Sequence, residues 1–250
     1  MRTVLACIDN SAAARPVLRA ALAIAPLFGA DVEAVHVAED GEATVAATAL
    51  AIGVPLRTLH GDVVEALASL ASDPDVVALT VGARGRPTAS HPIGHVALEL
   101  VNRAATPVMV VPPDATVAER VHRVLVAMEG TPANARSLKH AVELVAGADV
   151  ELVVVHVDSE SSIPSFSDQV QHETDAYASE FLARYAAGAP LARLELRIGV
   201  PAEQILEAAE SIRPDAIAIG HRSDPGPGHG EVVREVLERS RVPVLVVATS

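Results

Sequence analysis

An internal repeat constrains the fold of this chain more than any other feature of its sequence. Residues 2–37 read RTVLACIDNSAAARPVLRAALAIAPLFGADVEAVHV, and residues 122–157 read HRVLVAMEGTPANARSLKHAVELVAGADVELVVVHV. At an offset of 120, Asp9 aligns with Glu129. Later motifs align at offsets of 138 and 136, which indicates intervening loops of different length. Such self-similarity predicts two copies of one structural unit, produced by gene duplication.

Each copy is predicted to alternate strands with helices. In the first copy the predicted strands cover residues 3–8, 31–37, 55–59, 76–81 and 107–111, and the predicted helices cover 13–28, 62–71 and 94–105. This alternation is typical of right-handed crossover units in a parallel sheet. The expected domains are residues 1–112 and 121–250, and residues 113–120 form the expected linker.

Composition supports this architecture and narrows the classes of partner. Half of the residues are apolar, but only two Tyr, three Phe and no Trp are present, so the core must be aliphatic. Such a core suits parallel strands that are covered on both faces. The 32 acidic and 19 basic residues give a formal charge of −13. This charge disfavours nucleic acid and anionic membranes, and we expect neither partner.

The single cysteine bears on the cellular compartment. Cys7 has no second cysteine with which to form an internal disulfide, and it lies in a predicted strand, where we expect it to be buried. A chain without disulfides is typical of the reducing cytosol, so the predicted location is cytoplasmic.

The loop that precedes the predicted helix 94–105 carries the main functional signal. It contains Gly82, Arg84, Gly85 and Gly94. Glycines let backbone amides approach phosphate oxygens, and a helix that begins at the last glycine directs its positive end at them. Ligands in open α/β sheets also lie at the carboxyl ends of strands, where this loop begins. The pattern indicates a phosphate-binding loop or, alternatively, a surface loop with a solvated helix terminus.

Five stretches carry a resemblance to a known family. They are VLACIDNS and VGARGRP with IGHVALELVNRAATPVMVVP in the first repeat, and AIGHRSDPG with GHGEVVREVLERSRVPVLVVA in the second. Together they resemble the universal stress protein family in its tandem form, over nearly the entire chain. The resemblance implies two Rossmann-like, adenine nucleotide α-hydrolase-like domains, each with a five-stranded parallel sheet. It also implies that the last strands, with VMVV and LVVA, pair across a dyad as an intramolecular pseudo-dimer.

The resemblance further implies an adenine nucleotide site in the first repeat. Nucleotide-binding members carry an Asp on the first strand beside the adenosine, which Asp9 matches. In that fold the end of the second strand, here Val37, flanks the adenine. We therefore expect ATP, together with Mg²⁺, as the ligand.

The phosphate loop of the family reads Gly, two residues, Gly, nine residues, Gly, then Ser or Thr. Gly82 and Gly85 match the first part, but only eight residues separate Gly85 from Gly94, and His95 replaces the hydroxyl residue. A histidine still donates hydrogen bonds to phosphate. Arg84 adds a positive charge that the family pattern does not require.

The second repeat departs further from the pattern. Glu129 replaces the first-strand Asp, and Ser223 replaces the second glycine. Glu231 follows Gly230, where the family has its hydroxyl residue. A carboxylate in the first turn satisfies the helix dipole and repels a triphosphate, so this repeat is predicted to bind no nucleotide.

Other candidate residues have structural explanations. His36 and His156 occupy equivalent positions, which favours a shared structural role. Ser11 is predicted to be the N-cap of the first helix rather than a nucleophile. No Cys or carboxylate shares metal-ligand spacing with His91 or His229, so no metal site is predicted.

The expected function is that of a stress-response regulator whose first repeat responds to nucleotide. No base and nucleophile have convincing spacing, so we expect no catalytic residue and at most slow ATP hydrolysis. The alternative is an interaction or scaffold protein in which both phosphate loops are vestigial. The short loop and His95 favour this alternative, whereas Asp9 and the glycines favour ATP. The sequence identifies no protein partner and does not decide whether the entire chain forms a further homodimer.

Overall fold

The computed structural model of the chain describes residues 1–38, 49, 52–84, 93–129, 139, 142, 150–158, 170–186, 189, 192–222 and 229–249. The elements of the first repeat are β1 (Thr3–Cys7), α1 (Ala14–Phe28), β2 (Asp31–Val37), β3 (Leu56–Leu59), α2 (Val63–Ala71), β4 (Val76–Gly82), α3 (His95–Arg103) and β5 (Val108–Val111). Those of the second repeat are β6 (Arg123–Ala127), β7 (Glu151–Asp158), α4 (Val170–Tyr185), β8 (Arg193–Ile198), α5 (Pro201–Ile212), β9 (Ala216–Arg222), α6 (His229–Arg239) and β10 (Val244–Thr249).

The ends of these elements follow from local sequence. Gly29 ends α1 in the left-handed conformation, with φ 57°, which glycine adopts without the steric cost of a Cβ atom. Asp62 caps α2, because its side chain accepts a hydrogen bond from the amide of Glu65 at 3.0 Å. Gly61 and Gly199, at equivalent positions of the two repeats, both have positive φ, 108° and 135°. The repeat is therefore visible in the backbone conformation as well as in the sequence.

The ten strands form one sheet in the order β3-β2-β1-β4-β5-β10-β9-β6-β7-β8. Pairing is parallel within each repeat, and the order β3-β2-β1-β4-β5 reappears as β8-β7-β6-β9-β10. The predicted fold of two five-stranded parallel units is confirmed.

The two repeats join through an antiparallel pair of strands. Met109 of β5 lies opposite Leu245 of β10, and Val110 lies opposite Val244. This is the pairing of VMVV with the last strand that the resemblance implied. All four residues of β5 are buried, so the junction covers an apolar strand edge that would otherwise favour aggregation.

Helices cover both faces of the sheet, so each face has its own apolar core. One core contains α1 together with Val4 and Ala6 of β1. The other contains α2, α3, α5 and α6 together with Leu5 of β1. Alternate residues of β1 thus enter different cores, as expected for a central strand. None of the helices in the described part of the chain has both the length and the apolarity needed to cross a bilayer.

His221, near the end of β9, connects the repeats by a hydrogen bond. Its Nε2 lies 3.1 Å from Oδ1 of Asn102 on α3, so the protonated Nε2 donates to the amide oxygen. Burial lowers the pKa of His221 because the imidazolium would lose its hydration. The unfolded chain therefore takes up this proton at a higher pH than the folded chain. The neutral His221 ring therefore contributes to the stability of the folded protein above the unfolded-state pKa of about 6.5. This contribution is lost as the pH falls below that value and through the lower folded-state pKa.

We accordingly predict that the melting temperature falls more steeply between pH 7 and pH 5 in the parent than in His221→Gln. Glutamine retains a donor but does not titrate, so the difference between the two slopes isolates the histidine. The exposed His60→Gln is the matched control and should keep the parent slope. Equal slopes for the parent and His221→Gln would contradict the assignment.

Candidate functional site

The site lies where the strand order of the first repeat reverses. β1 pairs with β2 on one side and with β4 on the other. The chain leaves β1 for α1 on one face of the sheet and leaves β4 for α3 on the opposite face. The two connections therefore diverge and leave a crevice at the carboxyl ends of β1 and β4, the position at which open α/β sheets bind ligands.

A cavity of about 390 Å³ occupies this crevice. Its size lies within the usual range for small-molecule sites. The described residues predicted from the sequence all line it: Asp9, Val37, Gly82, Arg84, Gly94 and His95. Gly85 lies outside the described residues. The tertiary structure thus brings together side chains that are separated by up to 86 positions in the sequence.

Asp9 is held by a tight turn after β1. Its Oδ1 accepts a hydrogen bond from the amide of Ser11 at 2.9 Å, and Oγ of Ser11 accepts one from the amide of Ala13 at 3.1 Å. The N-cap of α1 is Ala13, so the prediction that Ser11 is the N-cap was wrong. The turn between Ser11 and Ala13 delays the start of the helix. These bonds fix the Asp9 carboxylate at the mouth of the cavity.

His36 and His156 share one structural role, as predicted. Nδ1 of His36 donates to the carbonyl oxygen of Ile8 at 2.8 Å, and Nδ1 of His156 donates to that of Met128 at the same distance. A carbonyl oxygen only accepts, so the proton is on Nδ1 in both rings. Each histidine ties the end of the second strand of its repeat to the end of the first. In the first repeat this bond supports the cavity wall beside Asp9 and Val37.

Gly82 allows α1 to approach the end of β4. A Cβ atom at this position would lie 3.3 Å from the carbonyl oxygen of Arg84 and 3.4 Å from Cβ of Ala13. Both distances are at or below the usual limit of carbon contacts. Any side chain at position 82 would therefore press against α1 and narrow the cavity.

In the described part of the chain, the N-terminus of α3 has no acidic partner. Gly94 is the N-cap and supplies no side-chain hydrogen bond, and no acidic residue lies in the first turn. The Gly94 amide itself donates to the carbonyl oxygen of Ala83 at 2.7 Å. Among the described residues, the first amides of the helix, beginning with that of His95, therefore have no side-chain acceptor at the cavity, and such amides bind anions.

Cys7 is a cavity residue that the sequence did not reveal. It is buried in β1 as predicted, but it also lines the crevice. Burial raises the pKa of its thiol to about 12, because the thiolate would be poorly solvated. The thiol is therefore protonated at neutral pH and serves as an apolar part of the wall rather than as a nucleophile.

We predict that the thiol reagent DTNB modifies Cys7 at pH 8 at least about 100-fold more slowly in the folded protein than in the chain unfolded in urea, because the thiolate fraction is that much smaller. The chain has one cysteine, so the absorbance change reports this residue alone. Equal rates in the two states would show that the thiol is accessible and ionised.

The second repeat differs at the equivalent positions. Glu231 lies in the first turn of α6 and supplies the acidic partner that α3 lacks. The ring of Phe181 on α4 packs against that of His156, with 4.8 Å between the ring centroids. Ser223 and its neighbours lie outside the described residues. The described part of this repeat thus has a carboxylate at the helix terminus and an aromatic ring against the histidine.

No metal centre is visible in the described ranges, where no three His, Cys, Asp or Glu side chains lie together in a suitable arrangement. His91 is outside these ranges.

Comparison with known proteins identifies relatives by sequence pattern and by fold. The model of the universal stress protein family matches residues 38–112 and 120–248. Comparison with curated proteins finds no match to the chain.

Three solved structures resemble the entire chain. A putative universal stress protein from Pseudomonas aeruginosa UCBPP-PA14 has a TM-score of 0.73 at 17% identity, with 99% of this chain and 93% of that chain covered. A functionally unknown protein from Pseudomonas aeruginosa PAO1 has a TM-score of 0.72 at 16% identity, with coverage of 99% and 92%. A universal stress protein from Archaeoglobus fulgidus DSM 4304 has a TM-score of 0.68 at 20% identity, with coverage of 99% and 96%. At these identities the similarity supports the fold.

Proposed function

Because this chain belongs to the universal stress protein family, we propose that its first repeat binds one adenine nucleotide, ATP with Mg²⁺, and that its second repeat binds none. The observation that carries the proposal is the crevice between β1 and β4. It unites the predicted adenosine residue Asp9 with the helix terminus at His95 in a cavity of about 390 Å³.

The two ends of the cavity suit the two ends of a nucleotide. Asp9 and Val37 both line the cavity. In the proposed complex Asp9 accepts hydrogen bonds from the adenosine, and the backbone at Val37 contacts the adenine. At the other end, Gly82 and Gly94 provide backbone without side chains, and Arg84 and His95 provide donors. The amides at the start of α3 add the positive end of the helix dipole. Together these groups fit a polyphosphate.

The chemistry supports binding rather than rapid hydrolysis. The Cys7 thiol is protonated and is therefore not an activated nucleophile. Asp9 is assigned to the adenosine rather than to the phosphates, so we do not expect it to act as the base in hydrolysis. The proposed role is a cytoplasmic stress-response regulator in which nucleotide occupancy changes the surface presented to protein partners.

Calorimetric titration with ATP and Mg²⁺ tests the proposal through its stoichiometry. We expect one nucleotide per chain, because Glu231 occupies the helix terminus of the second repeat. Two equivalents per chain would contradict the predicted asymmetry. No binding at millimolar ATP would support the scaffold alternative, in which both phosphate loops are vestigial.

A further inference from the structure

A second cleft, lined by arginines, lies on the second repeat. It has a volume of about 660 Å³ and is formed where α5 and α6 end. Arg213 comes from the end of α5, and Arg239 and Arg241 come from the end of α6 and the turn that follows it. Glu210 is the acidic residue in its lining.

The arginines of this cleft are incompletely neutralised. Arg239 pairs with Glu235 one helical turn earlier. For the exposed side chains of Arg213 and Arg241, the described part of the chain provides no ion pair or hydrogen bond. Two guanidinium groups without a described partner thus share the cleft with one carboxylate, Glu210, on a protein whose formal charge is −13. A local positive excess on an acidic protein favours a bound anion.

The fold itself does not require these arginines. At the offsets that align the repeats, Asp75 occupies the position of Arg213, and Ala105 occupies that of Arg241. Asp75 binds the amino group of Met1 at 2.9 Å in the first repeat. The connections that lead into β4 and β5 of the first repeat are therefore formed with an acidic and a small residue, so the arginines are specific to the cleft of the second repeat.

The backbone of Arg213 points to a role for its side chain. Its φ is 53°, and it is the one non-glycine with positive φ among the described residues. Its amide donates to the carbonyl oxygen of Ala209 at 2.9 Å, which completes the helix end. Glycine adopts this conformation without strain, as Gly29 does after α1. Pro214 explains why the helix stops here but not why the C-cap residue is an arginine.

The cleft and the cavity of the first repeat open at the same edge of the sheet. Because β5 and β10 are antiparallel, the carboxyl ends of the first repeat's strands and the amino ends of the second repeat's strands share one edge. Arg213 precedes β9 and Arg241 precedes β10, which places the cleft at that edge. Two ligand sites would thus face one side of the protein.

We propose that this cleft binds an oxyanion with at least two negative charges, carried by phosphate or carboxylate groups, through the guanidinium groups of Arg213 and Arg241. The planar guanidinium donates two parallel hydrogen bonds to either group. The competing explanation is that these arginines only complement the negative ends of α5 and α6. The two explanations predict different effects of Arg213→Gly on the melting temperature.

Calorimetry with inorganic pyrophosphate and with malonate, at constant ionic strength, tests the proposal. All proteins carry His95→Glu, which weakens anion binding at the cavity of the first repeat. We expect one pyrophosphate or malonate per chain and at least a tenfold loss of affinity in Arg213→Gly with Arg241→Ala. Arg234→Ala removes a charge from α6 outside the cleft and should leave binding unchanged. Preference for one probe distinguishes phosphate from carboxylate.

Melting temperatures provide the second measurement. Without ligand, Arg213→Gly should melt at or above the temperature of the protein that carries only His95→Glu, because the backbone strain is removed. The proposal is overturned if neither probe binds, if Arg234→Ala loses as much affinity as the cleft variants, or if Arg213→Gly binds normally and melts earlier. The last result would assign the arginines to helix stabilisation. None of these outcomes depends on whether ATP binds the first repeat.

Discussion

Replacing Met109 by alanine is expected to lower the free energy of unfolding of the entire chain by about 3 kcal/mol, within the range of large-to-small changes in a core. Met109 is 2% exposed and pairs with Leu245 across the junction of the repeats. Its side chain also borders a small apolar cavity with Ile24 and Phe28 of α1. The truncation would enlarge this cavity where β5, β10 and α1 meet.

Urea unfolding followed by circular dichroism measures this change. The matched control is Leu22→Ala, which also truncates a long aliphatic side chain. Leu22 is 40% exposed on α1, and its loss should cost less than about 1 kcal/mol. Because one sheet runs through both repeats, we expect a single cooperative transition for each protein. A parent that unfolds in two steps, or a Met109→Ala cost no larger than that of the control, would show that the repeats are stabilised separately.

Replacing His95 by glutamate is expected to weaken ATP binding at least about 100-fold, which corresponds to about 2.8 kcal/mol. The change places at the start of α3 the acidic residue that the second repeat carries at Glu231. Its carboxylate would compete for the helix amides and repel the triphosphate, since like charges about 4 Å apart interact by several kcal/mol at a protein surface. The variant thus gives the first repeat the carboxylate that, in our proposal, prevents the second repeat from binding nucleotide.

The control separates this local effect from a change in net charge. His60→Glu alters the charge by the same amount at an exposed position that does not line the cavity. We expect its affinity for ATP to stay within about twofold of the parent. His95→Ser, which restores the family's hydroxyl donor, should retain binding. Comparable losses in His95→Glu and His60→Glu, measured by calorimetry, would show that His95 does not lie at the phosphates.

Sequence patterns that span only a few residues predicted the bounds of the strands and helices to within one or two residues for β2 and α1. β2 has the predicted bounds, and α1 begins one residue after the predicted start. The periodicity of apolar residues and the positions of glycine and proline determine these elements locally. Ser11 is an exception, because the turn that contains Asp9 shifts the start of the helix. Hydrogen bonds of this kind depend on how the chain turns after the strand.

Contacts between distant segments could not be read from the sequence in the same way. Cys7 was predicted to be buried, but its place in the cavity wall depends on the divergence of α1 and α3 to opposite faces. The cleft of Arg213 and Arg241 was not predicted at all, since the two residues follow different helices. A sequence motif was available for the phosphate loop, whereas scattered arginines in an acidic chain have no spacing that indicates convergence.

The sequence by itself determined the duplication, the alternation of strands and helices, and the difference between His95 and Glu231 at equivalent helix starts. These features follow from residue type and periodicity, which act within a turn or a strand. The tertiary structure alone decided that Met109 meets Leu245 in register and that the cavity and the arginine cleft share one edge of the sheet. Both results depend on the antiparallel pairing of β5 with β10. That pairing reverses the strand direction between the repeats and is made by residues at least 134 positions apart, which no local pattern specifies.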